Sequence, residues 1–261
     1  MSILRLNSTQ HGRAQQFVDA LFNGRAYRAQ VMSTIAENIA KVGARIREAA
    51  QASQRNLADI GLLAVSKTKP AEAIREAHAT GLCDFGENYL QEALEKQAEL
   101  DDLPLIWHFI GPIQSNKTRP IAEHFDWVHS VDRLKIAQRL SDQRPAHLPP
   151  LNVCLQINVS GEDSKSGCSP EELPELARAV SALPNLRLRG LMAIPEPTDD
   201  VAAQHAAFAR LRQLRDELSL NLDTLSMGMS HDLEAAIAEG ATWVRIGTAL
   251  FGARDYGQPI H

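Results

Sequence analysis

A lysine amine becomes a nucleophile once it loses its proton, and it does so most readily where hydration is poor. The stretch Leu62-Leu63-Ala64-Val65-Ser66-Lys67-Thr68-Lys69-Pro70 offers such a place. Residues 62–65 form an unbroken apolar run, the pattern of a strand buried on both faces of a parallel sheet. Pro70 reads as the first position of a following helix, where its missing N–H costs nothing. Lys67 therefore stands where a buried strand gives way to a loop, the position at which α/β folds put their chemistry. A neutral amine there can attack a carbonyl and form a Schiff base. The plainer alternative is a lysine whose stem snorkels from the rim of the sheet with its head in water. On position alone the plainer alternative carries more weight. Lys69, beyond the strand, is the weaker candidate.

A second set of residues could hold an anion. Gly228-Met229-Ser230-His231-Asp232 and Gly247-Thr248 follow the last two strand-like runs, and in a barrel these loops are the usual phosphate site. Ser230 reads as the N-cap of a helix through Leu233, Ala236 and Ile237, so its hydroxyl and the nearby N–H groups can hold a phosphate at the positive helix end. Gly228 and Gly247 let the backbone approach an anion closely, and Thr248 adds a hydroxyl. Against this, serines cap helices without any ligand, and Asp232 and Glu234 in the first turn would oppose an anion. Arg245 lies between Val244 and Ile246 in an apolar strand, and alternation turns it to the face opposite those two. A guanidinium inside a barrel must pair with an acid or meet a ligand, and both readings satisfy that rule.

Other polar groups also fall at strand ends. Gly86-Glu87-Asn88-Tyr89 follows the second strand. His108 sits in the apolar run Trp107-His108-Phe109-Ile110, where a histidine is more often a satisfied core group than a catalyst. Ser115-Asn116-Lys117 reads as a helix cap. The polar, glycine-bounded loop 161–167, with Lys165, reads as an exposed loop that could serve as a flap. The histidines lack the i, i+4 pairing of H-E-x-x-H, so no metal is expected. Neither a G-x-S-x-G elbow nor a Walker loop appears.

The elements that must position these residues alternate along the chain. Strand-like runs fall at 62–66, 84–86, 105–110, 127–131, 152–159, 187–194, 224–227 and 243–246. Helical patterns fall at 71–78, 89–100, 134–143, 170–183, 201–218 and 232–240, with an amphipathic helix from Met32 to about Gln51 before the first strand. The connection 115–124 is shorter and less clearly a full helix. Eight such units predict a single α/β (β/α)8 barrel. The rival, an open doubly wound sheet, would want a glycine-rich phosphate fingerprint after its first strand, and Lys67 stands there instead.

At 261 residues and 44% hydrophobic content the chain can bury a large core. A net charge of −5 gives no support to a nucleic-acid partner. No apolar run approaches the roughly 18 residues of a membrane helix. Cys83, Cys154 and Cys168 are scattered and odd in number, which suits a reducing cytoplasm. Residues 1–31 carry Arg5, Arg13, Arg25 and Arg28 against one acid, Asp19. They read as an ill-packed extension, with a transit peptide or an upstream start codon as alternatives. The expected layout is thus an extension at 1–31, a barrel at 32–256 and a short tail at 257–261.

Taken in order, Ala64-Val65-Ser66-Lys67-Thr68-Lys69-Pro70, Phe85-Gly86-Glu87-Asn88-Tyr89, Trp107-His108-Phe109-Ile110-Gly111, Gly190-Leu191-Met192, Ser226-Met227-Gly228-Met229-Ser230 and Val244-Arg245-Ile246-Gly247-Thr248 closely resemble the pyridoxal phosphate homeostasis protein family. The resemblance runs from about Met32 to Tyr256 and says nothing of residues 1–31. It implies a barrel like that of alanine racemases and bacterial-type ornithine decarboxylases. It implies pyridoxal 5′-phosphate (PLP) as cofactor, held as an aldimine by the lysine of the A-V-S-K motif, which Lys67 matches. Phosphate contacts are implied from Ser230, Gly247 and Thr248, and an arginine beside the pyridine nitrogen at Arg245. Asn88 and His108 match residues near the ring.

An arginine stays protonated, so it donates to the pyridine nitrogen and leaves the ring a poor electron sink. In the racemases a second domain brings a tyrosine base across a dimer interface, whereas this chain ends at His261, soon after the eighth strand. The expectation is a monomeric cytoplasmic protein that holds PLP without catalytic turnover and hands it to apo-forms of PLP enzymes. One alternative is a PLP-dependent amino-acid racemase or decarboxylase with a local base such as His108 or Tyr89. Another is a Schiff-base aldolase acting on a phosphorylated sugar. Lys165 is expected to help gate cofactor entry or release.

Overall fold

The computed structural model describes residues 34–161 and 166–252. The expectations for residues 1–31, for Lys165 and for the tail at 257–261 lie outside the described residues. Parallel strands β1 (Gly61–Val65), β2 (Asp84–Glu87), β3 (Ile106–Phe109), β4 (Trp127–Val131), β5 (Leu151–Gln156), β6 (Leu186–Met192), β7 (Thr224–Ser226) and β8 (Trp243–Ile246) follow one another around a closed barrel. Closure is made by β1 and β8, which pair from Gly61 with Trp243 to Ala64 with Ile246.

Strand periodicity sorts the side chains into two layers. Leu62 and Ala64 join the large core between sheet and helices, while Leu63 and Val65 turn inward to Ile110 and Trp243. Trp127, Cys154 and Met192 form a second interior cluster with Ile106. The outer helices are α1 (Thr34–Ala52), α2 (Ala71–Ala79), α3 (Leu90–Glu99), α4 (Thr118–His124), α5 (Leu134–Gln143), α6 (Leu173–Ser181), α7 (Val201–Glu217), α8 (Leu233–Ala238) and the single turn α9 (Thr248–Phe251). Helix α1 buries Ile39, Val42, Ile46 and Ala49, the stripe set by its apolar spacing, and packs on α2, α8 and α9. Among the described residues no helix is long and apolar enough to cross a membrane.

Several boundaries differ from the sequence reading. Pro70 occupies the cap position, with α2 starting one residue later. β5 stops at Gln156, because the Cys168 N–H donates back to the Gln156 carbonyl at 2.9 Å and draws the following loop in. α6 starts at Leu173 because Ser169 and Glu172 exchange reciprocal hydrogen bonds of 3.0 and 3.2 Å, a capping box that closes a turn first. The doubtful connection 115–124 resolves into a 3-10 turn at Ser115–Lys117 leading into α4.

The N-terminal end of the barrel is floored by aromatic rings. Trp127 and Trp243, which open β4 and β8, meet edge to face with centroids 6.2 Å apart. His108 stacks on Trp127 at 5.5 Å, and Arg189 covers the same indole at 4.8 Å. Gly61 makes room for this floor, since any side chain there would run into the Trp243 ring.

A second close approach occurs at Gly190, where an added Cβ would collide with the Thr224 backbone on β7. Gly190→Ala must spread β6 from β7, so a loss of about 1–3 kcal/mol is expected. Urea unfolding of the variant checks this, and an unshifted midpoint would show that the two strands yield without strain.

Candidate functional site

Lys67 lies one residue past Ser66 in the turn that leaves β1, half-buried at the C-terminal rim. The turn closes with the Lys69 N–H on the Ser66 carbonyl at 3.1 Å. Thr68 within it has φ +63°, a left-handed conformation that an L-threonine adopts only under constraint. The constraint comes from behind the sheet. The Thr68 N–H donates to Glu92 Oε1 at 2.5 Å, and Lys96 Nζ donates to Glu92 Oε1 at 2.5 Å, to Glu87 Oε1 at 2.8 Å and to the Ser66 carbonyl at 2.8 Å. Ser66 Oγ adds a 2.6 Å bond to Glu87. Burial pushes the Glu87 carboxyl above the usual range, and the Lys96 charge and the Ser66 hydroxyl pull it back. Alternation turns Leu63 and Val65 inward, whereas Ser66 and Glu87 meet Lys96 of α3 on the helix side, and Lys67 follows in the turn at the barrel's C-terminal rim.

The sequence reading missed this buried cluster. The signal was the spacing Glu92–Lys96, an i, i+4 pair.

The two glycine loops follow β7 and β8, and Lys67 follows β1, three successive strands of the closed barrel. Gly247 lies against Val65, with an added Cβ only 3.2 Å from the Val65 carbonyl oxygen. Gly228 has φ +94°, and its carbonyl accepts from the Arg245 N–H at 2.9 Å. Thr248 is exposed and opens α9.

Ser230 is not the N-cap that the sequence suggested. Asp232 takes that position, because its Oδ1 accepts from the Met229 N–H at 2.6 Å and its own N–H returns to the Met229 carbonyl at 3.2 Å. Ser230 is thereby carried inside the tight turn, half-buried. Arg45 of α1 anchors this turn, donating to the Ser230 carbonyl at 2.9 Å and to both Glu234 oxygens at 2.8 and 2.9 Å. The acids that would repel an anion are thus engaged, one by Arg45 and one by the Met229 N–H. Arg45 carried no signal in the sequence.

Asn88 follows β2 at the same rim, and its side-chain oxygen is buried without a hydrogen-bond partner among the described residues. Gly111 packs on the Asn88 backbone so closely that any side chain at 111 would collide with it. Tyr89 points away, 54% exposed.

Arg245 faces the interior as alternation required and is 4% exposed. Its Nη1 donates to Ser226 Oγ and its Nη2 to the Ala193 carbonyl, both at 2.9 Å. Among the described residues it forms no ion pair. Burial lowers its pKa to about 10, and Asp232 is the acid whose charge acts most against that shift. Below it lie His129, with Nδ1 2.7 Å from Ser226 Oγ, and His108, with Nδ1 2.9 Å from His129 Nε2. His108 Nε2 meets Asp84 Oδ1 at 3.0 Å. His108 is fully buried with both nitrogens engaged, the satisfied core histidine that its setting suggested. Among the described residues no group of three His, Cys, Asp or Glu side chains is placed to hold a metal.

Burial above all, with the Arg245 charge beside it and any proton added to His108, holds the His129 pKa well below its ordinary 6.5. The unfolded chain therefore binds a proton that the folded chain refuses. This stability is fully present above about pH 6.5 and falls as the pH drops, by at most about 1.4 kcal/mol per unit. Urea unfolding at pH 7.5 and 5.5 should show a smaller acid loss in His129→Gln than in the parent. Equal losses would assign the acid sensitivity elsewhere.

Comparison with known proteins agrees with this fold. Residues 35–255 match the family described as alanine racemase, N-terminal domain. A pyridoxal phosphate homeostasis protein of Pseudomonas aeruginosa is 84% identical over 228 residues, spanning 87% of this chain and 99% of the relative. The structure of PipY from Synechococcus elongatus with PLP bound superposes with a TM-score of 0.73 at 43% identity, covering 84% of this chain and all of that one. An alanine racemase from Corynebacterium glutamicum shares the fold, with a TM-score of 0.60 at 19% identity over 87% of this chain and 62% of its own. The chain belongs to the pyridoxal phosphate homeostasis protein family, within the group built on the alanine racemase N-terminal barrel.

Proposed function

We propose that this chain binds PLP covalently through Lys67 and serves intracellular PLP homeostasis without turning over amino acids. The observation that supports the reading is the strand order, which sets the Gly228–Ser230 loop, the Gly247–Thr248 loop and Lys67 after three successive strands, with Arg245 buried on the middle one. PipY, bound to PLP in its own structure, supports it, as does the P. aeruginosa relative.

The residues present fit the cofactor. The Asn88 side-chain oxygen is buried and lacks a donor, and a ring hydroxyl is a suitable one. Ser230, Gly247 and Thr248 would hold the phosphate through hydroxyl and backbone N–H groups, and Gly228 leaves room beside them. Arg245 would donate to the pyridine nitrogen and, remaining protonated, cannot take a proton from substrate carbon. PLP itself supplies an aldehyde, which condenses with a lysine amine with loss of water and gives a chromophore.

Of the local bases a racemase or decarboxylase would need, His108 is committed to His129 and Asp84, which favours storage over turnover. On this reading the protein works as a cytoplasmic monomer and passes PLP to apo-forms of PLP enzymes. The test is to add PLP to the purified protein, record the visible band, and then incubate with amino acids in deuterated water. A stable band with no enzymatic exchange at Cα is expected. A protein that stays colourless sinks PLP binding, and rapid exchange sinks the storage role.

A further inference from the structure

Five strands of the barrel contribute one polar side chain each to a series that crosses its interior: Arg245 on β8, Ser226 on β7, His129 on β4, His108 on β3 and Asp84 on β2. The links measure 2.9, 2.7, 2.9 and 3.0 Å in that order. Ser226, His129 and His108 are all buried, and Asp84 alone reaches partly to solvent, its side chain 20% exposed.

We infer that Ser226, His129 and His108 are positioning residues that fix the Arg245 guanidinium through a chain of hydrogen bonds running in one direction only. The part of this inference that concerns PLP rests on the function proposed above.

The direction follows from the two ends. The Asp84 carboxylate only accepts, so His108 carries its proton on Nε2, and a neutral His108 leaves Nδ1 bare to accept from His129 Nε2. A neutral His129 is then bare at Nδ1 and takes the Ser226 hydroxyl proton, while the hydroxyl oxygen accepts from Arg245, which only donates. With both rings neutral, the ends leave a single tautomer for each. A second proton on His129 would turn Nδ1 into a donor and deprive the Ser226 hydroxyl of its acceptor, and one on His108 would set a donor against the proton on His129 Nε2. The lowered basicity of His129 agrees with that arrangement.

Arg245 is therefore held from two sides, by the chain and by the Ala193 carbonyl. The rest of its fork is presented in a fixed orientation. A ligand nitrogen meeting it finds a donor already in place, which is how preorganisation raises affinity.

Two measurements test this. The first needs neither a variant nor a cofactor: ring-nitrogen NMR of the cofactor-free protein near neutral pH. A bare Nδ1 and a protonated Nε2 are expected on both His108 and His129. A proton on His129 Nδ1, or a doubly protonated ring at either position, overturns the inference.

The second is titration with PLP, following the visible band in His129→Leu, His129→Gln and Ser226→Ala. A glutamine amide carries an acceptor and a donor spaced like the two ring nitrogens, so it can carry the chain, and leucine cannot. His129→Leu and Ser226→Ala should weaken PLP binding about tenfold or more and shift the band, the scale of one charge-assisted hydrogen bond. His129→Gln should stay within about threefold of the parent. Parent-like affinity and band in both interrupted variants overturns the inference, as does equal loss in the leucine and glutamine variants. If the parent itself takes up no PLP, the proposed function fails, and the nitrogen NMR still decides the chain.

Discussion

Lys67→Ala is expected to abolish the visible band that PLP gives with the parent, and to leave no cofactor on the protein after borohydride reduction. Lys96 is committed to Ser66, Glu87 and Glu92 on the helix side of the sheet. Lys69 lies further along the turn, its N–H closing onto the Ser66 carbonyl. The phosphate loops remain in the variant, so PLP should still bind, reversibly and more weakly. Mass spectrometry of reduced protein is the decisive readout, since one cofactor mass is expected on the parent and none on the variant. Covalent PLP retained at parent level would move the anchor elsewhere and end the assignment of Lys67.

The second large effect is on stability. In Lys96→Met, Glu87 loses its cationic partner while 0% exposed, and the Ser66 carbonyl loses its donor. Removing one member of a buried ion pair leaves an uncompensated charge and costs about 3–5 kcal/mol. The damage should reach the Lys67 turn as well. Thr68 is kept at φ +63° by Glu92, and Glu92 is itself held by Lys96. A drop in unfolding free energy of that size, with weaker PLP uptake, is the expected pair of results. The double variant Glu87→Gln/Lys96→Met removes the stranded charge and should recover part of the stability. A single variant as stable as the parent would show that the cluster is hydrated in solution.

Much of this was legible before the fold was known, and the reasons differ by residue. The place of Lys67 just past a buried strand could be read because an apolar run ending in Lys–Thr–Lys–Pro must leave the sheet there, while a role for its amine came only from the resemblance. Arg245 could be turned inward because alternation leaves no other choice. Ser230 misled because a serine before a helical pattern looks like a cap, whereas the acid two residues on closes a tighter turn. Arg45 was invisible because its partners Ser230 and Glu234 lie far away in sequence, and the Glu92–Lys96 spacing could not show that Glu87 and Ser66 wait on the hidden side of a strand. Local periodicity reports which face a residue occupies, and it is silent about what waits there. His129 shows the same blindness, since its meaning comes from Ser226, distant in sequence and close in the barrel.

The Trp127–Trp243 contact fills the N-terminal end of the barrel, so a cofactor held at the rim that bears Lys67 would be approached from the C-terminal side. Loading and unloading on that side would then compete for one doorway. A receiving enzyme that seated itself on the doorway would block free escape and channel the cargo, whereas one that waited in solution would depend on spontaneous leakage. The rate at which the doorway empties, with and without an acceptor present, thereby separates a passive reservoir from a directed courier.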